Sequence, residues 1–199
     1  MTFFKDLGYV DSNASRNSLT FVGKNIFEEK LLSDIEKYIS SHELENAKVL
    51  HMDNERADKA RSSKVHWMSD EKYKDFLMPI YENISRKVRM INEGMWRYNY
   101  NGYGVFQYSE YTKGDHFCWH IDQIEMRGES RKVSFSLGLS QESEYEGGDL
   151  VFKAGEEEDP YKLGRGDIIV FPSWMLHKVT PVTQGKRRVV VGWGEGLIL

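Results

Sequence analysis

In "FCWHIDQ" (Phe117–Gln123) a histidine and an aspartate stand two residues apart inside a run that is otherwise apolar and aromatic. On an extended strand, side chains at i and i+2 leave the same face about 6–7 Å apart at their bases. His120 and Asp122 can therefore lean onto one metal ion. A third donor stands far along the chain at His177, which follows the apolar run "GDIIVFPSWML" and opens "HKVTPV". Two imidazoles and one carboxylate on one face of an octahedron suit iron(II) and leave three positions open for chemistry. Structural zinc calls for several thiolates, and Cys118 is the chain's single cysteine. Beyond His177, "QGKRRVVVGW" supplies Lys186, Arg187 and Arg188. An arginine fork holds a carboxylate through two parallel hydrogen bonds, so a dicarboxylate bound at the metal would find a partner for its far end. Strand alternation puts Arg187, Val189, Val191 and Trp193 on one face and Arg188 and Val190 on the other; it does not choose between the two arginines.

The remaining candidates read as structural. His42, His51 and His66 fall in the N-terminal half, where surface or packing roles suffice. His116 gives "HFCWH" the i, i+4 spacing of a helical zinc site, but the glutamate of the metalloprotease motif is missing and Phe117, Cys118 and Trp119 suit a strand. By alternation, Phe117, Trp119 and Ile121 point away from His120 and Asp122, into a core or against a helix. Cys118 borders the site as a packing residue. Trp119, Trp174 and Trp193 read as core or pocket wall.

Several segments together resemble the iron(II)- and 2-oxoglutarate-dependent dioxygenases, in the branch of prolyl 4-hydroxylase-like and PKHD-type hydroxylases. They are "YTKGDHFCWHID", "RKVSFSLGLS", "YEGGDLVF", "GDIIVFPSWMLHKVTPVTQGKR" and "GWGEG", spanning roughly residues 104 to 196, with "RSSKVHWM" near residue 61 similar to one subgroup. The resemblance implies that His120, Asp122 and His177 bind iron and that Arg187 holds the distal carboxylate of 2-oxoglutarate. It implies that Tyr111, in the Y-x-x-G segment, lines the co-substrate pocket. Val189 stands where many relatives carry a hydroxyl residue, and Gly138 where some carry an aromatic. The implied cofactors are Fe(II), 2-oxoglutarate as co-substrate and O2, with ascorbate as an accessory reductant. The implied reaction is hydroxylation of an unactivated C–H bond with release of succinate and CO2, a peptidyl proline being the leading substrate. Asp122 argues against a halogenase, which needs an open position for halide. A cupin-like metal-binding protein without 2-oxoglutarate is disfavoured by Arg187. A non-catalytic binding module on the same scaffold is disfavoured by the complete set of donors.

Apolar residues Phe27, Leu31, Leu32, Ile35, Tyr38 and Ile39 form one helical stripe; Tyr73, Phe76, Leu77, Ile80, Ile84, Val88 and Ile91 form another, which Pro79 is expected to kink or divide. From Met95 onward, short aromatic and β-branched runs are separated by glycine or asparagine, the pattern of an antiparallel sandwich or barrel. "GEEEDP" (Gly155–Pro160) reads as a solvated hairpin tip. The expectation is a mainly β, α+β fold: a double-stranded β-helix (jelly roll) core over residues 96–199, with residues 1–95 as a helical support in the same globular unit. A net charge of −4 argues against a generic nucleic-acid binder. No apolar run is long enough for a membrane span, the N-terminus lacks a signal-peptide pattern, and one cysteine suits a reducing compartment. A cytoplasmic protein acting on a protein, peptide or small molecule is the default.

Overall fold

The two apolar stripes become helices because each buries one face on a sheet. The computed structural model describes residues 19–48, 60–126 and 128–198; His51 and the extreme N-terminal segment lie outside the described residues. In chain order the elements are β1 (Phe21–Gly23), α1 (Glu29–Ile39), β2 (Glu45–Asn46), β3 (Arg61–Ser62), β4 (Lys64–Trp67), α2 (Lys74–Met95), β5 (Gly102–Tyr103), β6 (Gln107–Tyr111), β7 (His116–His120) and β8 (Glu125–Met126). They continue with β9 (Glu129–Gly138), β10 (Tyr145–Gly147), β11 (Leu150–Lys153), β12 (Glu158–Tyr161), β13 (Ile168–Pro172), β14 (Leu176–Val179), β15 (Val182–Gly185) and β16 (Arg187–Leu197).

Two antiparallel sheets face each other. The larger runs β1-β13-β9-β16-β6-β4-β2, with β5 added to β16 and β8 to β9; the smaller runs β12-β11-β14-β7-β3. A short β10–β15 pair joins them at one end. Strand β13 shows how alternation builds the layers: Ile168 and Val170 join the core under the helices, whereas Ile169 and Phe171 join the core between the sheets. The helices cover only the outer face of the large sheet, where Leu32, Ile35, Ile84, Val88 and Ile91 pack on Phe106, Phe135, Leu137 and Val190. The inter-sheet core is smaller, built on Tyr111, Leu150, Phe152, Phe171, Val179 and Val189. The space between the sheets is thus left partly open. Among the described residues, no helix is long and apolar enough to cross a membrane.

Helix α2 runs unbroken through Pro79, against the division expected from the sequence. The proline lies near the helix start on the exposed face, where the carbonyl of Asp75 can turn to solvent. The buried stripe from Leu77 to Ile91 keeps the helix seated. The N-terminal region is also more than a helical support: β1 pairs with β13, β4 with β6, and β3 with β7, so it adds an edge to both sheets. Glu156 and Glu157 are exposed in the turn between β11 and β12, as the acidic run predicts. Trp174, expected in a core or pocket wall, is 46% exposed and donates its indole N–H to the Tyr98 hydroxyl.

Gly138 has a steric cause. A Cβ there would lie 2.1 Å from the Gly164 carbonyl oxygen, because the loop before β13 crosses directly over the strand. Gly138 N–H donates to Asp167 O, and its carbonyl accepts from Gly166 N–H, both at 2.9 Å. An aromatic side chain has no room. Gly138→Ala should lower stability by about 1–3 kcal/mol through overpacking; a lowered urea midpoint is the expected result, and an unchanged one would contradict the packing described.

Candidate metal centre

The site is assembled by one strand pair. Strand β14 runs antiparallel to β7 with His177 opposite His120 and Val179 opposite Phe117. Three steps along β7 therefore match two along β14, a bulge that breaks the strict alternation of β7. As a result Phe117 does not point away from the histidine: its ring stacks on His120, centroids 3.5 Å apart and planes 18° apart. Trp119 is half-buried beneath the Lys178 ammonium, and Ile121 is 48% exposed, so neither packs into a core. Cys118 is exposed. Asp122 follows the end of β7 and is fixed by its own N–H, which donates to Ser173 O at 2.9 Å.

His120, Asp122 and His177 bring their donor atoms within 4.8 Å of one another. The carboxylate oxygens of Asp122 lie 3.7 Å from His120 Nε2 and 3.6 Å from His177 Nε2, too long for direct hydrogen bonds. Each imidazole donates from Nδ1 to a backbone carbonyl at 2.8 Å, His120 to Cys118 and His177 to Met175. A carbonyl only accepts, so Nδ1 carries the proton and the Nε2 lone pair is left for a metal. Burial, then the neighbouring His177, pushes the His120 imidazole down to about 4, which keeps it neutral and ready to ligate. Burial raises the Asp122 carboxyl, but His177 and His120 beside it outweigh that and hold it below its usual value. The donor set and tautomers fit iron(II).

A narrow cavity opens from these three residues into the space between the sheets and is lined also by Tyr111, Ser136 and Arg187. Arg187 faces Tyr111 directly across β16 and β6, its guanidinium 5.2 Å from the ring centroid. It is 2% exposed, and its Nε has no hydrogen-bond partner. Among the described residues Arg187 has no counter-ion, and a buried unpaired cation is costly, so this end of the cavity suits an anion. Arg188 is different. It points to the helix side, donating to Glu36 at 3.2 Å and to Glu144 at 2.9 Å. Val189 is buried and offers no hydroxyl; the unpartnered hydroxyl on the cavity belongs to Ser136. Sequence reasoning passed over Ser136, although "KVSFSLG" alternates apolar Val133, Phe135 and Leu137 with Ser134, Ser136 and Gly138.

On the other side of the candidate metal position lies an open groove walled by Trp67, Trp119, Ile121, Ile124, Arg131 and Trp193. The Arg131 guanidinium sits 3.7 Å above the Trp193 ring and its Nε lies 3.8 Å from Glu195. The other described histidines stay apart. His42 pairs with Asp70 at 2.9 Å, His66 meets the Tyr38 hydroxyl at 3.1 Å, and His116 is outside the donor cluster.

Comparison with known proteins bears on the same region. Residues 106–195 match the family model described as the 2OG-Fe(II) oxygenase superfamily. A PKHD-type hydroxylase of Idiomarina loihiensis is 41% identical over 90 residues, 45% of this chain and 41% of that protein. A PKHD-type hydroxylase of Rippkaea orientalis is 44% identical over 94 residues, 46% and 42% of the two chains. The chain thus spans about two fifths of the length of these curated relatives. Among solved structures, a Pseudomonas putida prolyl-4-hydroxylase superposes with a TM-score of 0.68 at 18% identity, over 90% of this chain and 94% of the other. A Trichoplax adhaerens prolyl hydroxylase, in complex with a hypoxia inducible factor peptide fragment, gives 0.70 at 15% identity over 89% and 84%. These two likenesses establish the jelly-roll fold.

The protonation state of His120 gives a pH dependence. An unfolded histidine titrates near 6.5, while folded His120 refuses the proton until about 4. The unfolded chain binds more protons in that window, so the stability of the metal-free protein should fall as pH drops from 6.5 towards 4. Melting midpoints across the window should show this loss, and His120→Asn should flatten it. At neutral pH, Mn(II) or Co(II) should raise the midpoint by mass action, and His177→Ala should remove that rise.

Proposed function

We propose that this protein is an iron(II)- and 2-oxoglutarate-dependent hydroxylase of an unactivated C–H bond, a reading supported by the match of residues 106–195 to the 2OG-Fe(II) oxygenase superfamily model. The observation that carries the reading is the buried Arg187, whose Nε has no hydrogen-bond partner among the described residues, in the same cavity as the His–Asp–His cluster. His120, Asp122 and His177 hold the metal, with their imidazole planes fixed by the Cys118 and Met175 carbonyls. Bound iron supplies oxygen activation coupled to decarboxylation of 2-oxoglutarate to succinate and CO2. Arg187 receives the distal carboxylate, Tyr111 walls the pocket against the guanidinium, and Phe152, Phe171 and Val179 keep water from the back of the site. A cupin-like metal protein without a dicarboxylate would leave the Arg187 charge unexplained.

The substrate approaches along the open groove. Its indole faces suit a flat aliphatic ring, and we take a peptidyl proline as the substrate. The Trichoplax adhaerens neighbour, solved in complex with a hypoxia inducible factor peptide fragment, supports a peptide as the class of substrate. We assign residues 96–199 as the catalytic core and 1–95 as its support, and the cytoplasm as the compartment, since a chain with a single cysteine suits a reducing environment.

Succinate release in the presence of Fe(II), 2-oxoglutarate and oxygen is the direct test. Asp122→Ala and His177→Ala should abolish it. Arg187→Ala should raise the 2-oxoglutarate requirement about 10- to 100-fold, the value of a charged hydrogen bond, and Arg188→Ala should leave it unchanged. A wild-type protein that neither takes up iron nor releases succinate would sink the reading.

A further inference from the structure

The cavity is lined by a second arginine that lies outside the family-matched segment. Arg61, on β3, reaches between the sheets: its Nη2 donates to Gln107 Oε1 at 2.9 Å and Ser109 Oγ at 3.2 Å, and its Nε donates to Ser63 Oγ at 3.0 Å. All three acceptors are neutral. Among the described residues, no carboxylate pairs with Arg61 and its Nη1 has no partner. Its guanidinium lies 4.8 Å from the centroid of Phe117, the ring that stacks on His120. Arg61 is therefore one ring removed from a candidate metal ligand, whereas Arg187 stands against Tyr111 on β16 and β6 of the large sheet.

The cavity lining holds two guanidinium groups and one carboxylate, Asp122. A divalent ion adds to that positive excess. A strut between the sheets would need no charge, since a neutral side chain can bond Gln107 and Ser109 without the desolvation cost. Two separated cations match a guest with an anionic group at each end.

We propose that Arg61 binds the metal-end carboxylate of the 2-oxo acid, as Arg187 binds its distal carboxylate. The assignment rests on the 2-oxoglutarate reading given above and extends it to a residue that fixes the co-substrate's orientation at the metal. Arg61 would hold the near carboxylate from the wall shared by cavity and groove, fixing the end of the co-substrate that faces the metal.

The test compares two 2-oxo acids under anaerobic conditions with Fe(II)-loaded protein. One is 2-oxoglutarate; the other is 2-oxopentanoate, of equal carbon length without the distal carboxylate. Dissociation constants are read from the visible absorption change or tryptophan fluorescence, and iron affinity is measured without either acid. Arg61→Gln should weaken both acids by the same factor, roughly tenfold, with iron affinity unchanged; Arg187→Gln should weaken 2-oxoglutarate alone. Arg61→Lys, which keeps the charge without the fork, should recover part of the loss for both acids. If Arg61→Gln spares 2-oxopentanoate, or lowers iron affinity by the same factor, Arg61 is a distal contact or a strut and the proposal is overturned. If wild-type protein binds iron but neither acid, the co-substrate reading itself fails, a result separable from failure of Arg61 alone.

Discussion

Strands β7 and β14 are held in a register that places His120 opposite His177, and every other part of the site takes its position from that pair. A slip of one residue would turn every side chain of a strand to the other face and leave Asp122 without its neighbours. The register is held from behind: Leu150 and Val179 are paired across β11 and β14, and both pack between the sheets with Phe152 and Phe171. One extra residue on β7 then lets Phe117 and His120 face the same way, so that the His120 imidazole is braced by an aromatic plane. The bulge makes two side chains three positions apart into neighbours, which a regular strand would not do.

The second constraint is electrostatic, and the molecule divides it between two faces. On the helix side the arginines are satisfied. Arg165 bonds Glu29 and Glu36, and Arg188 bonds Glu36 and Glu144, tying α1 to the sheet edge. On the cavity side, among the described residues, Arg187 has no acidic partner and Arg61 has neutral ones. Adjacent residues of one strand, Arg187 and Arg188, therefore do opposite work: one closes a structural ion-pair network and the other keeps an unmet charge. Sites that break the rule of paired buried charge are those where a ligand completes the pairing.

Much of this was legible in the sequence because the relevant signals are local. The apolar stripes gave two helices, the short β-branched runs gave the sandwich, and the His-x-Asp pair with its distant histidine identified residues that do converge. What was not legible depends on pairing between segments. Alternation gave Arg187 and Arg188 opposite faces, but only the position of α1 shows which face is the helix side. Alternation also misplaced Phe117, because a bulge is a property of two strands. Arg61 carries no local signal of a site; its place on the cavity follows from the crossing of residues 61–67 from the small sheet to the large one. Pro79 was overweighted, since its cost depends on where in the helix it falls.

The cavity and the groove share Arg61, Gln107, Phe117, His120, Asp122 and Trp193 as lining. The candidate metal position sits in that common wall, so on the proposed reading a co-substrate in the cavity and a substrate in the groove would address one ion from two sides. The two spaces differ in chemistry. The cavity is narrow and cationic, with polar contacts for a small dianion. The groove is open and aromatic, and Trp67 within it remains 45% exposed, a face that only an apolar or ring-bearing guest would cover. Covering it would also shield the metal position from bulk water and strengthen the electrostatic hold of both arginines. On that reading, anion affinity and groove occupancy would be linked through this shared wall, in which Arg61 is the cation and Phe117 the ring stacked on His120.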